Sequence, residues 1–86
     1  MSELELRQEL KTIIAGIIET DEFGNDDNFV TQLGVDSMLA LEIVARIEKR
    51  YRIRIPEERF AHLQTLNSVV QTVETLLQPV RSGGFR

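Results

Sequence analysis

The sequence predicts an all-α fold, a small four-helix bundle with a long loop between the first and second helices and a short third helix. Three observations lead there. Apolar residues recur at three- and four-residue steps in separate stretches, capping residues stand in front of those stretches, and 86 residues suffice for one modest core. A hydrophobic content of 42% with 28% charged residues lies within the range of folded globular chains, so composition points to neither disorder nor a membrane span. We expect residues 1–80 to form the domain and 81–86, with two glycines, a flexible C-terminal tail.

The first helix opens with Ser2 and Glu5 at capping-box spacing and carries Leu6, Leu10, Ile13, Ile14 and Ile17 on one stripe. It is expected to run to about Glu19. From Thr20 to Val35 the chain turns acidic and polar, with turn residues Gly24, Asn25, Asp26, Asp27 and Asn28 and apolar anchors Phe23, Phe29, Val30 and Leu33. Loops beyond about a dozen residues are uncommon in compact domains and tend to be functional. Asp36 is a good N-cap for a second helix over Ser37 to Arg50, in which Leu41, Val44, Ile47 and Tyr51 keep helical spacing.

Arg52 to Ile55 alternates like a strand, but a lone short strand has no partner and Pro56 favours an extended residue before it, so a linker is expected. Pro56 as the first helical residue, followed by Glu57, Glu58, Arg59 and Phe60, suggests a third helix of one or two turns. Thr65 is placed to cap a fourth, whose stripe is Leu66, Val69, Val70, Val73, Leu76 and Leu77 and whose end is Pro79.

Charge and residue types restrict function. No apolar run is long enough to span a bilayer and the N-terminus lacks a signal peptide's basic start, so a cytoplasmic location is expected. Zero cysteines exclude disulfides, thiolate metal sites and a cysteine nucleophile; any thiol chemistry must come from an attached group. The net charge of -4 is unevenly divided: residues 1–45 hold ten acids and two bases, residues 46–86 four acids and eight bases. Arg46, Lys49, Arg50, Arg52 and Arg54 lie close together like a nucleic-acid footprint, but an acidic whole argues against that partner.

The site is sought where the long loop meets the second helix. There the Ser37 hydroxyl is expected to face solvent at a helix N-terminus, where unpaired amides and the helix dipole favour a phosphate on that oxygen. Taken alone, Asp36 and Ser37 heavily favour the reading of an ordinary capping pair. The lone His62 has neither a cysteine nor a triad partner beside it and receives no role. Asp21, Glu22, Asp26 and Asp27 lack the ligand spacing and closing glutamate of an EF-hand, so no metal is expected.

The ordered run Leu33-Gly34-Val35-Asp36-Ser37-Met38, followed by Leu41-Glu42, Val44, Ile47, Tyr51 and Ile55-Pro56, resembles the acyl carrier protein family over nearly the whole chain. The resemblance implies that Ser37, in a Gly-x-Asp-Ser-Leu motif with Met38 replacing leucine, receives 4'-phosphopantetheine from coenzyme A. It also implies a non-catalytic carrier whose arm supplies the missing thiol and holds an acyl group as a thioester. Implied partners are a phosphopantetheinyl transferase and acyl-loading or acyl-transferring enzymes such as a ligase, acyltransferase or ketosynthase, with neither nucleic acid nor membrane, and a monomeric state. Leu41, Ile47, Phe60, Leu66 and Val70 would border an acyl cavity if the core opens; the other reading is a plain core.

Partner-binding residues expected beside Ser37 are Asp36, Met38, Glu42, Arg46, Lys49 and Arg50. The three bases depart from the strongly acidic second helix of fatty-acid carriers and lean the reading towards polyketide or related specialised biosynthesis, with a fatty-acid carrier as one alternative. They read equally as a solvated face, with Glu42 and Arg46 forming an intrahelical pair. Peptidyl carriers usually show a double glycine before His/Asp-Ser, which Gly34-Val35 does not match. An aminoacyl or peptidyl carrier and an unmodified helical interaction module are the remaining alternatives.

Overall fold

The computed structural model describes residues 2–77. Its elements are α1 (Glu3–Ile18), α2 (Ser37–Tyr51), a 3-10 helix (Glu57–His62) and α3 (Leu66–Leu77). The all-α architecture matches the sequence prediction. Pro79 and the tail 81–86 lie outside the described residues.

Each long helix begins where a side chain occupies free amides. Ser2 Oγ accepts from the Glu5 N–H at 3.2 Å while Glu5 Oε1 accepts from the Ser2 N–H at 3.0 Å, the reciprocal box foreseen from their spacing. These bonds favour the ionised Glu5 carboxylate and hold its pKa below the ordinary value, the backbone bond first. At α3, Thr65 Oγ1 accepts from the Ser68 N–H and Ser68 Oγ from the Thr65 N–H, both at 3.1 Å. The far ends of α1 and α2 close on Glu19 (φ 64°) and Arg52 (φ 55°), left-handed positions without glycine.

The core gathers Leu6, Leu10 and Ile14 of α1, Ile43, Val44 and Ile47 of α2, and Leu66, Val69, Val70 and Val73 of α3. Leu41, placed on the second helix's apolar row by spacing, is 56% exposed; Ile43 takes the inward position instead. At 3.6 residues per turn Ile43, Val44 and Ile47 span a single arc and Leu41 falls outside it.

The long loop is pinned at few points. Phe23 and Phe29 are buried edge to face with ring centroids 6.0 Å apart, and Val35 fills the core just before α2. Val30, expected as an anchor, is exposed. The head of α3 fastens the loop: Phe29 N–H donates to Gln64 O at 2.7 Å and Asn67 N–H to Asn25 O at 3.1 Å. The Asn67 side chain donates to Asp26 Oδ1 and accepts from Arg7 Nη1, both at 2.6 Å, so one residue joins α1, the loop and α3.

Ile53 to Ile55 form a linker without regular structure, as expected, whereas Arg52, expected in the same linker, is the left-handed C-cap of α2. Ile55 is buried, and its N–H donates to Glu48 Oε2 at 2.8 Å. Pro56 stands one place earlier than predicted, at the N-cap with ψ 144°, and the helix it caps is a 3-10 helix without a buried residue. That short helix lacks the packing that would hold a longer α-helical turn.

Candidate functional site

The geometry around Ser37 begins with Gly34, whose φ of 70° is a left-handed conformation that a side chain would strain. The turn sends Val35 inward, where its N–H donates to Phe29 O at 2.8 Å, and leaves Asp36 extended at φ -93°, ψ -177°. Asp36 Oδ1 then accepts from the Leu39 N–H at 2.9 Å and Asp36 O from the Ala40 N–H at 2.9 Å. Ser37 is thereby the first residue of α2, exposed, and its N–H and that of Met38 have no acceptor one turn back.

A phosphodiester on the Ser37 oxygen fits this setting. The hydroxyl is exposed, the nearest carboxylate is committed to the Leu39 N–H, and the positive end of α2 lies beneath. Met38, 80% exposed, comes next in the chain, and Leu41 and Val30 are also open, an apolar rim beside the serine. Inside that rim lies an apolar cavity of about 60 Å³, bordered among others by Val30, Val35, Leu41, Ile47, Phe60 and Val69. Of the five expected cavity residues, Leu41, Ile47 and Phe60 line it, while Leu66 and Val70 pack elsewhere in the core. Its volume is less than half of the roughly 150 Å³ that accepts a benzene ring, so an acyl chain requires it to widen.

Further along α2 the side chains become basic. Arg46, Lys49, Arg50 and Arg52 line an open concave surface. Arg50 is engaged: its guanidinium reaches Glu9 Oε2 at 3.2 Å and lies 5.6 Å from the Tyr51 ring centre. The Tyr51 hydroxyl donates to Glu9 Oε1 at 2.8 Å; burial first, then this bond, holds the phenol far above its ordinary pKa. The expected Glu42–Arg46 pair is not formed among the described residues. An exposed pair one turn apart gains about 0.3–0.5 kcal/mol, which ordering two long side chains readily offsets.

Asp36, Met38, Glu42, Arg46, Lys49 and Arg50 are all on α2 or its cap, and all are exposed. Sequence reasoning missed Val30, which joins the rim although it is distant in sequence; its apolar character in a polar loop was the available signal. Among the described residues no group of three His, Cys, Asp or Glu side chains is placed to hold a metal ion, and no helix is long and apolar enough to cross a membrane. Asp26 and Asp27 are turned to Asn67 and to the Gly24 N–H.

Comparison with known proteins meets this geometry. The family model described as a phosphopantetheine attachment site matches residues 8–73. An acyl carrier protein of Streptomyces coelicolor is 37% identical over 70 residues, covering 78% of this chain and 76% of its own. Polyketide-8 synthase acyl carrier protein 2 of Streptomyces avermitilis is 36% identical over 72 residues, 81% of this chain and 79% of its own. The meromycolate extension acyl carrier protein of Mycobacterium leprae is 36% identical over 73 residues, 74% and 64% respectively. The chain belongs to the acyl carrier protein family, whose members are non-catalytic carriers of acyl groups on a covalent, serine-linked 4'-phosphopantetheine.

Proposed function

We propose that Ser37 takes the phosphopantetheine arm and that the loaded protein serves polyketide or related specialised biosynthesis. The observation that carries the attachment is the exposed Ser37 hydroxyl at the first position of α2, behind a left-handed Gly34 and a capping Asp36. When bound, the arm supplies a terminal thiol that holds the acyl group as a thioester, chemistry that a chain without cysteine lacks. Asp36 orients the first turn, and the amides of Ser37 and Met38 offset the charge of the phosphodiester.

The family's partners are a phosphopantetheinyl transferase and enzymes that process acyl groups. For this chain they would meet Met38 and Glu42 near the serine and Arg46, Lys49 and Arg50 further along. The mixed charge of α2 supports the polyketide reading, as does the name of the Streptomyces avermitilis relative. A second reading, fatty-acid elongation, is favoured by the relative named for meromycolate extension.

Coenzyme A and a broad-specificity phosphopantetheinyl transferase should add one arm, seen by intact mass and located on Ser37 by peptide mapping. Ser37→Ala should remove it. A folded protein that several transferases leave unmodified would return the chain to an interaction module. Acyl transfer from the holo protein to polyketide and to fatty-acid ketosynthases, run side by side, separates the two pathways.

A further inference from the structure

The basic end of α2 is a surface whose charges are left unsatisfied by the fold. Arg46, Lys49, Arg50 and Arg52 share one concavity. Of the described carboxylates, only Glu9 pairs with any of the four, and it engages Arg50. Glu48, the acid within this segment, is turned away: its carboxylate accepts from the Ile55 N–H at 2.8 Å and is partly buried. Glu42 makes no ion pair with Arg46 among the described residues. The patch therefore keeps its positive charge although the chain as a whole is acidic.

Arg52 extends the patch past the end of the helix. It caps α2 at φ 55°, a conformation that favours glycine, and from there lines the same concavity as the other three. A basic side chain thus occupies a backbone position where a side chain carries strain.

Resting on the carrier reading above, we propose that this surface docks on a carboxylate-rich patch of the enzyme that exchanges acyl groups with the protein. Helix geometry sets the spacing: Arg46 lies about 14 Å and Lys49 about 18 Å along α2 from Ser37. The partner's acidic patch stands at that distance from the mouth through which it receives the arm. At the serine end the contact is apolar, through Met38 and Leu41; at the far end it is electrostatic and fixes which way α2 lies.

The sign of the partner's charge is what an experiment can read. Arg46→Glu/Lys49→Glu is compared with wild type in holo form, against the ketosynthase that accepts its acyl group, by stopped-flow association at two salt concentrations. Arg50 stays unaltered because Glu9 depends on it. An acidic partner patch predicts association at least about tenfold slower at low salt, with the difference shrinking at high salt. Unchanged or faster association overturns the proposal.

A partner-independent measurement follows amide shifts of the labelled holo protein on titration with hexaglutamate, hexalysine and a short DNA duplex. Hexaglutamate should perturb residues 46–52 and hexalysine should not. Equal or stronger binding of the duplex to these residues would mean a general polyanion surface and overturn the assignment to an acidic protein. Failure of the carrier reading is separately visible, since no arm would then be found on Ser37 by mass.

Discussion

Replacing Asp36 separates two roles that its position combines. Its carboxylate caps α2 through the Leu39 N–H at 2.9 Å, and its charge stands beside Ser37, the proposed attachment residue. Asp36→Ala removes both. Loss of an N-cap bond costs about 1 kcal/mol, within a range of roughly 0.5–2. In a domain of this size that lowers Tm by about 4–8 °C, measured by circular dichroism at 222 nm. Asp36→Asn keeps an equally good cap and loses only the interaction of the charge with the helix dipole, about 0.3–1 kcal/mol. Its Tm should therefore fall by less than that of Asp36→Ala, which loses the cap bond and the charge together. Modification of Ser37 by a phosphopantetheinyl transferase then reads the second role: if the charge takes part in docking, Asp36→Asn slows modification several-fold while melting near wild type. Should Asp36→Ala melt unchanged, the cap does not hold α2, and Ser37 is positioned by something else.

Ile47 and Leu41 both border the cavity but differ in burial, so Ile47→Ala should cost about 2–5 kcal/mol in urea unfolding. Leu41→Ala should stay within about 0.5 kcal/mol of wild type and instead weaken partner association. Glu19→Gly at φ 64° should stabilise by about 0.5–1 kcal/mol, a left-handed penalty of about 1–2 less the added freedom of the unfolded chain, visible as a higher urea midpoint. Tyr51 is the chain's single tyrosine and there is no tryptophan, so phenolate absorbance reports it alone. Its raised pKa contributes stability that is present below the ordinary value of 10.0 and lost as pH rises beyond it. Phenolate should appear only at strongly alkaline pH, and Glu9→Gln, which removes a neighbouring charge but not the burial, should bring it earlier without restoring the ordinary value.

Features built from near neighbours in sequence were legible. Ser2 with Glu5, Asp36 before α2 and Thr65 before α3 act within three residues, so spacing alone reveals them. Ser37 was singled out the same way, through a cap and a short motif. Features that depend on how helices face each other were not. The engagement of Arg50 and Tyr51 by Glu9 joins residues more than forty apart. Three- and four-residue steps admit Leu41 to the apolar row of α2, but the 3.6-residue period places Ile43, Val44 and Ile47 on one arc and Leu41 outside it. Which residue of α3 borders the cavity, Val69 rather than Leu66 or Val70, likewise depends on how the helices face each other.

The junction at Asn67 bears on when the site comes into being. The bonds that fasten the loop span 36 residues, from Asn28 to Gln64, and 41, from Asp26 to Asn67. Such distant closures must meet their loop entropy before they return any stability, so they form after the local turns of the helices. The loop leading into Ser37 therefore gains these fastenings only once the head of α3 has docked, and α3 is synthesised after α1, the loop and α2. A nascent chain that ends before residue 64 contains the whole Leu33 to Met38 run but neither Gln64 nor Asn67, the residues that fasten its loop.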